Sequence, residues 1–133
     1  MSSLTMDISK KDLLGMLSAY YSEKTGKEIK VDSKTETVLK GYGMGEHESA
    51  DVYFYYKLQM DLLGTKVAAT LTLSEEEIRT VLTELLQRLN YDVDRIDYKK
   101  GVRVTGSFRD EQEEAYFDGV SVIINQKGIN KKL

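Results

Sequence analysis

The chain has 133 residues, of which 41% are hydrophobic and 31% charged, so we expect one folded domain spanning residues 1–133. Acidic residues slightly outnumber basic ones, and the net charge of −3 excludes the positively charged coat of many nucleic-acid-binding proteins. The chain has no cysteine, which excludes disulfide bonds, thiolate catalysis and cysteine-ligated zinc sites.

The N-terminal segment lacks the apolar core of a signal peptide, and no window approaches the roughly 18 apolar residues of a membrane span. We therefore expect a cytoplasmic protein that does not associate with membranes. The lysine-rich residues 128–133 are expected to form a flexible tail.

Alternating apolar residues between Leu4 and Ile8 predict a first strand, and a helix follows it directly. The helix begins after Ser9, a residue type that caps helix N-termini, and it ends at Gly26. Its apolar stripe comprises Leu13, Met16, Leu17, Tyr20 and Tyr21.

Three strands are predicted between this helix and the next one. The first begins at Ile29 and Val31 and continues to residue 40. The second carries the alternating apolar residues Val52, Phe54, Tyr56, Leu58 and Met60. A turn that contains Gly64 then leads into a third strand over residues 67–73.

A second helix begins after Ser74, and Glu77 completes a capping box with it. Asn90 is expected to end this helix in the left-handed conformation. Beyond it we predict a hairpin with its turn at residues 99–101 and a last strand over residues 120–124. The apolar stripe of the second helix comprises Ile78, Val81, Leu82, Leu85, Leu86 and Leu89.

The second half of the chain repeats the pattern of the first half at a shift of 65 residues. Leu4 aligns with Ala69 and Ser9 aligns with Ser74, so strands, caps and apolar positions coincide. We therefore predict a tandem duplication of a β-α-β-β unit, with repeats over residues 3–65 and 66–127.

The register of the repeat changes near its end. Tyr56 and Leu58 align with Val120 and Val122 at a shift of 64. We place one extra residue of the second repeat at Asp118–Gly119, as a β-bulge that contains a glycine. The bulge reverses the direction in which residues 115–117 face.

Two such units predict an α+β fold with a mainly antiparallel sheet of about six strands and two helices on one face. A single unit of about 65 residues would bury too little apolar surface to be stable alone. We therefore expect the two halves to form one cooperative domain.

The loop between the strand that ends at residue 40 and the strand that carries Val52 contains Tyr42 and the single histidine, His47. This histidine lies between two glutamates. A histidine beside carboxylates can transfer protons, but the second repeat has Gln112 in place of His47. We therefore predict a non-enzymatic protein with no catalytic residue, no metal site and no cofactor. Tyr42 and His47 are kept as candidate binding residues.

The aromatic residues are mostly tyrosines, nine of them against three phenylalanines. Tyr53 and Tyr55 alternate with the core positions of their strand, so they point away from the core. Exposed tyrosines are typical of recognition surfaces, although cross-strand packing explains them equally well. Glu111, Glu113 and Glu114 form an acidic loop region that we add to the candidate binding residues.

The duplicated strand-helix-strand-strand order resembles the gyrase-inhibitor-like effector-binding domains of bacterial regulators. The resemblance covers nearly the whole chain, and it implies a cleft between the two units that takes a small ligand or sometimes a protein. The cleft tryptophan of that family is missing, because the chain has no tryptophan. No functional residue is therefore carried over from the family.

Residues 9–90 also look like a double-stranded-RNA-binding domain, with a helix, three strands and a helix. That family contacts phosphates with lysines at the start of its second helix. This chain has Glu75, Glu76 and Glu77 there, and carboxylates repel phosphate. We therefore expect no nucleic-acid partner.

These observations predict a small interaction module that binds a protein partner, in the style of regulators or inhibitors from bacteria, phages and mobile elements. The alternative is a small-molecule effector-binding domain with a cleft between the two repeats. The oligomeric state stays open, because the outer strands of the sheet can pair between chains.

Overall fold

Eight elements follow one another in this computed structural model, which describes residues 3–39, 47–106 and 111–125, with only the backbone of Leu39, His47 and Glu48. Two are helices and six are antiparallel strands, which confirms the predicted α+β class. In chain order they are β1 (Ser3–Ser9), α1 (Lys10–Thr25), β2 (Asp32–Leu39), β3 (His47–Leu62), β4 (Thr65–Leu73), α2 (Glu75–Arg88), β5 (Val93–Thr105) and β6 (Gln112–Asn125).

The strands form two three-stranded sheets, with the orders β1-β6-β5 and β2-β3-β4, and not the single sheet of six that we expected. Each sheet takes two strands from one half of the chain and one strand from the other half. β1 pairs with β6, and β4 pairs with β3. The sequence pattern shows which residues of a strand are apolar, but it does not show which half supplies the neighbouring strand.

The pairing registers of the two sheets correspond to each other. Thr35 pairs with Val52 in one sheet, and Lys100 pairs with Phe117 in the other, so equivalent residues lie 65 positions apart. This correspondence is what the predicted duplication requires. The duplication itself stays a prediction.

The predicted β-bulge at Asp118–Gly119 is confirmed. The pairing of β5 with β6 shifts register between Tyr98 and Lys100, opposite this dipeptide, and the glycine has a φ of 124°. Phe117 and Val120 are both buried although strict alternation would place them on opposite faces. The bulge therefore keeps both parts of β6 in the core.

The alignment beyond the bulge differs from the predicted one. Phe54 pairs with Leu73, and Val120 pairs with Ile8. Because Ile8 and Leu73 are equivalent, Phe54 corresponds to Val120, at a shift of 66 residues. The predicted shift of 64 is wrong, since the extra residue of the second half moves equivalent positions further apart.

The first helix begins and ends where the sequence predicts. The Ser9 side chain accepts a hydrogen bond from the Asp12 backbone N–H at 3.1 Å, and Gly26 ends the helix with a φ of 70°. Leu13, Leu17 and Tyr21 of the predicted stripe are buried. The other two residues of the stripe, Met16 and Tyr20, are partly buried at the edge of the core.

The second helix has the predicted capping box, in which Ser74 and Glu77 bond each other's backbone N–H groups. Its buried side chains are Ile78, Val81, Leu82 and Leu86. Leu89 was expected in the same stripe but is 66% exposed. The helix ends at Arg88 and the chain turns at Asn90, whose φ is 68°, so Leu89 no longer follows the helical stripe.

Ile29 and Val31 are buried, but they precede β2 and do not begin it. Serine hydroxyls of α1 bind their backbone N–H groups in place of a neighbouring strand. Ser22 Oγ accepts from Ile29 N at 2.8 Å, and Ser18 Oγ accepts from Val31 N at 2.9 Å. These bonds tie the connection to α1 and delay the strand until Asp32.

The predicted hairpin at residues 99–101 is wrong, because β5 runs through this position without a turn. Gly101 pairs with Tyr116 of β6, and a Cβ on Gly101 would lie 2.9 Å from the Tyr116 hydroxyl. The glycine therefore makes room for an aromatic ring that covers the strand. A glycine that serves packing and a glycine that serves a turn look alike in the sequence.

The core lies between the inner faces of the two sheets and the two helices. The Phe54 ring of one sheet packs edge-on against the Phe117 ring of the other, with centroids 5.7 Å apart. α1 contacts β1 and β6, and α2 contacts β3 and β5. The helices lie beside each other, since the Tyr20 hydroxyl is 3.3 Å from Glu84 Oε2.

Two glycine substitutions test the bulge. A Cβ at Gly119 would clash with the Ile8 carbonyl oxygen, and the φ of 124° strains any other residue, so we expect Gly119→Ala to destabilise the fold by about 3 kcal/mol or more. Gly15 of α1 has open space around its Cβ position, so Gly15→Ala should stabilise by about 0.5–1 kcal/mol. Urea unfolding measures both, and equal midpoints for the two variants would contradict the bulge geometry.

Candidate interaction surface

β3 and β4 extend past the rest of their sheet as a two-stranded hairpin. β2 pairs with β3 only as far as Tyr55, whereas β4 pairs with β3 from Phe54 to Leu62. We call residues 56–71 the hairpin arm. A two-stranded hairpin is marginally stable in water without further contacts, so this arm is an unusual extension of the fold.

The tip of the hairpin arm is a two-residue turn formed by Leu63 and Gly64. Their φ angles of 53° and 89° are those of a type I′ turn, which prefers asparagine, aspartate or glycine at both positions. Asp61 Oδ1 accepts a hydrogen bond from the Gly64 backbone N–H at 2.9 Å and so supports the turn. Leu63 is fully exposed, at 104% of its reference area. The tip therefore contains a leucine whose backbone conformation is unfavourable for this residue type and whose side chain is fully exposed to solvent.

The inner face of the hairpin arm continues the apolar face of the core into solvent. Cross-strand partners on this face are Met60 with Val67 and Tyr56 with Leu71. Nine large hydrophobic side chains are exposed among the described residues, and five of them lie at the tip or on this face. These five are Met60, Leu62, Leu63, Val67 and Leu71. Apolar side chains that cluster on a surface mark interaction sites.

Glu75, the first residue of α2, anchors the base of the hairpin arm. Its Oε2 accepts from the Val52 backbone N–H at 2.9 Å and from Lys100 Nζ at 2.6 Å. β4 pairs with β3 only from Phe54 onward. The carboxylate therefore binds the next backbone N–H group, that of Val52, on the edge of β3 that faces β4. Through these two contacts Glu75 links β3 of one sheet to β5 of the other.

Tyr98 completes the contacts at this base. Its hydroxyl donates to the backbone carbonyl oxygen of Glu75 at 2.8 Å, and the Arg79 guanidinium lies 5.0 Å from its ring centroid. Burial, with the nearby charge of Glu75 as a second cause, raises the pKa of Tyr98 well above its usual value. The phenol is therefore a neutral hydrogen-bond donor at physiological pH.

The two candidate tyrosines lie on the outer face of the sheet β2-β3-β4. Tyr53 is exposed and Tyr55 is half-buried, so their predicted orientation away from the core is confirmed. Tyr53 pairs with Lys34, and Tyr55 pairs with Asp32 and Thr72. Their rings therefore lie among polar side chains on the face opposite to the apolar side of the hairpin arm.

The acidic candidates lie on the other sheet. Glu113 and Glu114 belong to the first part of β6, opposite Val104 and Arg103, and Glu111 directly precedes this strand. Each of the three residues is exposed. The tyrosines and the glutamates are therefore on separate sheets.

Tyr42 and His47 are the two remaining candidates. Tyr42 is outside the described residues. The backbone of His47 begins β3, but its side chain is outside the described part of the chain. The grouping of these two residues with Tyr53 and Tyr55 stays a prediction.

A shallow groove of about 370 Å³ separates the exposed sides of α1 and α2. One end carries the charged side chains of Glu23 and Arg88, and Arg88 pairs with Glu84 at 2.9 Å. Its apolar lining comprises Met16, Ala19, Tyr20, Leu85 and Leu89. The groove lies between the helices of the two predicted repeats, which is where a ligand cleft between the repeats is expected.

The hairpin arm is the surface that sequence reasoning missed. The alternation of β3 predicts that Met60 belongs to the core, but alternation does not reveal where the covering elements end. One signal was present in the sequence. Leu63 precedes Gly64 in a two-residue turn, where asparagine or aspartate is the usual choice.

Comparison with protein-family models, with curated proteins and with solved structures finds no match to this chain. Within the described ranges, no group of three or more histidine, cysteine, aspartate or glutamate side chains is placed to hold a metal ion. None of the helices in these ranges has the length and apolar character needed to cross a membrane.

The contacts of Glu75 predict a difference between neighbouring glutamates. Glu75→Gln removes the charge that Lys100 and the Val52 N–H share, so we expect a loss of about 1–3 kcal/mol in unfolding free energy. Glu76→Gln is the matched control, because that side chain is 80% exposed and its pair with Arg79 should contribute less than about 1 kcal/mol. Urea denaturation gives both values, and equal losses would refute the anchoring role of Glu75.

Proposed function

We propose that this protein is a small non-enzymatic module that binds another protein through the tip of the hairpin arm. The observation that carries the proposal is Leu63, a fully exposed leucine with a φ of 53° at the end of a two-stranded arm. Strained residues that the fold itself does not require are concentrated at functional positions.

The energetics of the tip favour a partner with an apolar pocket. A left-handed backbone conformation costs a non-glycine residue about 1–2 kcal/mol, and full burial of a leucine side chain contributes about 1.5–3 kcal/mol. Leu62 and Met60 lie beside Leu63 and are also exposed. Binding would therefore bury three large side chains that are exposed to solvent in the free protein. Anchor residues of protein interfaces become buried in the same way.

The predicted role of Tyr53 and Tyr55 remains part of this proposal as an alternative binding face. They lie on the outer side of the same sheet, so a partner that grips the hairpin arm from that side would reach both the tip and the tyrosines. Tyrosines add contact area with little loss of side-chain entropy. Their contribution is separable from that of the tip by mutation.

Substitution of Leu63 by asparagine tests the role of the tip. Asparagine is favoured at this position of a type I′ turn, so Leu63→Asn should leave thermal stability unchanged or raise it slightly. We expect the amount of the specific partner captured from cells of the source organism to fall at least tenfold. Affinity purification with quantitative mass spectrometry measures this.

Leu89→Asn is the matched control, because Leu89 is also exposed but lies at the end of α2. Its capture profile should equal that of the unmodified protein. If Leu63→Asn captures the same proteins in the same amounts, the tip is not the binding element. Loss of capture in Tyr53→Ala/Tyr55→Ala alone would place binding on the outer face of the sheet.

The groove between α1 and α2 favours a second candidate function, which is the binding of a small effector molecule. Its apolar lining, with the charged side chains of Glu23 and Arg88 at one end, suits an amphipathic ligand with a polar head group. The topological resemblance to gyrase-inhibitor-like effector-binding domains supports the same proposal. This function would use the contact between the two halves and not the hairpin arm.

A thermal-shift series with fatty acids and aromatic carboxylates tests this candidate. A ligand of the groove should raise the melting temperature in proportion to the logarithm of its concentration above the dissociation constant. Ala19→Trp, which fills the groove, should abolish the shift, and Lys11→Trp in the first turn of α1 should retain it. A shift that survives Ala19→Trp would exclude the groove as the binding site.

A further inference from the structure

β4 is an edge strand, and it carries little protection against pairing with another strand. Edge strands are usually guarded by charged side chains or by elements that cover them. Among the nine residues of β4 only Lys66 is charged, whereas the edge strand β2 carries Asp32, Lys34 and Glu36. The edge strand β5 carries six charged side chains.

The remaining edge strand, β1, also carries a single charge, but it differs from β4 in two respects. Its Asp7 is held by Lys99 of β5 at 2.7 Å, and Met6 and Ile8 are packed against the core. In β4 every residue except Ala69 and Leu73 is exposed. β4 therefore combines an open backbone edge with an apolar side that nothing in the described fold covers.

The hairpin turn determines which backbone groups of β4 are free. A two-residue turn closes on a hydrogen-bonded pair, here Leu62 with Thr65, and the pairs then alternate along the strands. The residues between these bonded pairs direct N–H and C=O away from β3. They are Lys66, Ala68, Thr70 and Thr72. Each is exposed, so four residues offer a donor and an acceptor along one open edge.

We propose that β4 pairs with β4 of a second copy of this chain, antiparallel across a two-fold axis at Ala69. In this register residue 65 of one copy lies opposite residue 73 of the other, and the pairing continues across the strand. The outward-facing backbone groups of all four residues therefore find partners. Ala68 then bonds with Thr70 of the other copy, and Lys66 bonds with Thr72. A register centred two residues away in either direction leaves part of the strand unpaired.

The side chains suit this register. Lys66 lies opposite a threonine, so no like charges face each other across the axis. On the inner face Val67 meets Leu71 of the second copy, and these are two of the exposed apolar residues of the hairpin arm. The pairing joins the sheets of both copies into one sheet of six strands and gives each two-stranded arm a further neighbour.

The dimer goes beyond the proposed function because it uses the edge of the hairpin arm and leaves the tip free. Leu62 and Leu63 lie outside the paired residues 65–73, at opposite ends of the joined strands in the two copies. The dimer therefore presents two binding tips to a partner. Such bivalence increases the overall binding strength to a partner with two suitably spaced sites.

Single-cysteine variants test the register directly, because the chain has no cysteine of its own. In the proposed dimer the two Ala69 residues form a non-hydrogen-bonded pair with Cα atoms about 4.5 Å apart, within disulfide reach. Ala69→Cys should give a disulfide-linked dimer on mild oxidation. Ala68→Cys is the control, since two copies of residue 68 lie diagonally about 8 Å apart and should not link.

Sedimentation of the full chain tests the dimer itself. We expect a dimer whose dissociation constant rises at least tenfold in Thr70→Pro, because proline removes an N–H that bonds only the second copy. The fold should survive, since that N–H has no partner within the described part of the chain and edge strands accept proline. Thr70→Val keeps the N–H and should remain dimeric, and circular dichroism checks that both variants are folded.

The outcomes separate this inference from the proposed function. A monomer at all concentrations up to about 100 μM, without Ala69→Cys linkage, would overturn the pairing and leave the role of the tip unaffected. Faster linkage of Ala68→Cys than of Ala69→Cys, or a folded Thr70→Pro variant that dimerises normally, would also overturn it. If β4 pairs as proposed, the Leu63→Asn variant should also be a dimer.

Discussion

The pairing of each first strand with the last strand of the other half is the constraint on which the rest of the structure depends. β1 completes the sheet of β5 and β6, and β4 completes the sheet of β2 and β3. Neither sheet can form from one half alone, and the shared core follows from this exchange, with Phe54 and Phe117 meeting between the sheets. α1 follows β1 directly and α2 follows β4 after the single residue Ser74, so the strand exchange also brings α1 and α2 side by side.

The two exchanged pairs are equivalent in register but differ in what surrounds them. In the β1–β6 pair the inner residues Val120, Val122 and Ile124 of β6 are completely buried. In the β3–β4 pair the inner face extends past α1 and β2, and its apolar residues reach solvent. Glu75 marks the point at which β3 changes its partner. The carboxylate binds the N–H group of Val52, and from Phe54 onward β4 pairs with β3. The β3–β4 pair thus contributes Phe54, Tyr56 and Leu73 to the core, while its outer part is left free for the contacts that we propose.

The parts of this fold that could be predicted are those that depend on neighbouring residues in the chain. Ser9 and Ser74 cap their helices within one turn, and the register change of the repeat, together with a glycine inside a strand, predicts the bulge at Asp118–Gly119. The division into two sheets, the role of Gly101 and the exposure of Met60 depend on residues that are distant in sequence. Alternation assigns a face to each side chain, but only the neighbouring elements determine whether that face is buried. The candidate site was missed for the same reason, since Met60 and Val67 have the pattern of core residues.

The strand exchange also has a consequence for the order in which the chain can fold during synthesis. Ser3 is paired with Asn125, so β1 leaves the ribosome well before its partner β6 and waits for it. At about 5–20 residues per second, this delay is roughly 6–25 seconds. The β3–β4 hairpin is made of adjacent segments and can close long before β1 finds its partner. A nascent chain would therefore display the apolar hairpin while half of its core is still missing, and chaperones that recognise such surfaces are expected to bind it in this interval.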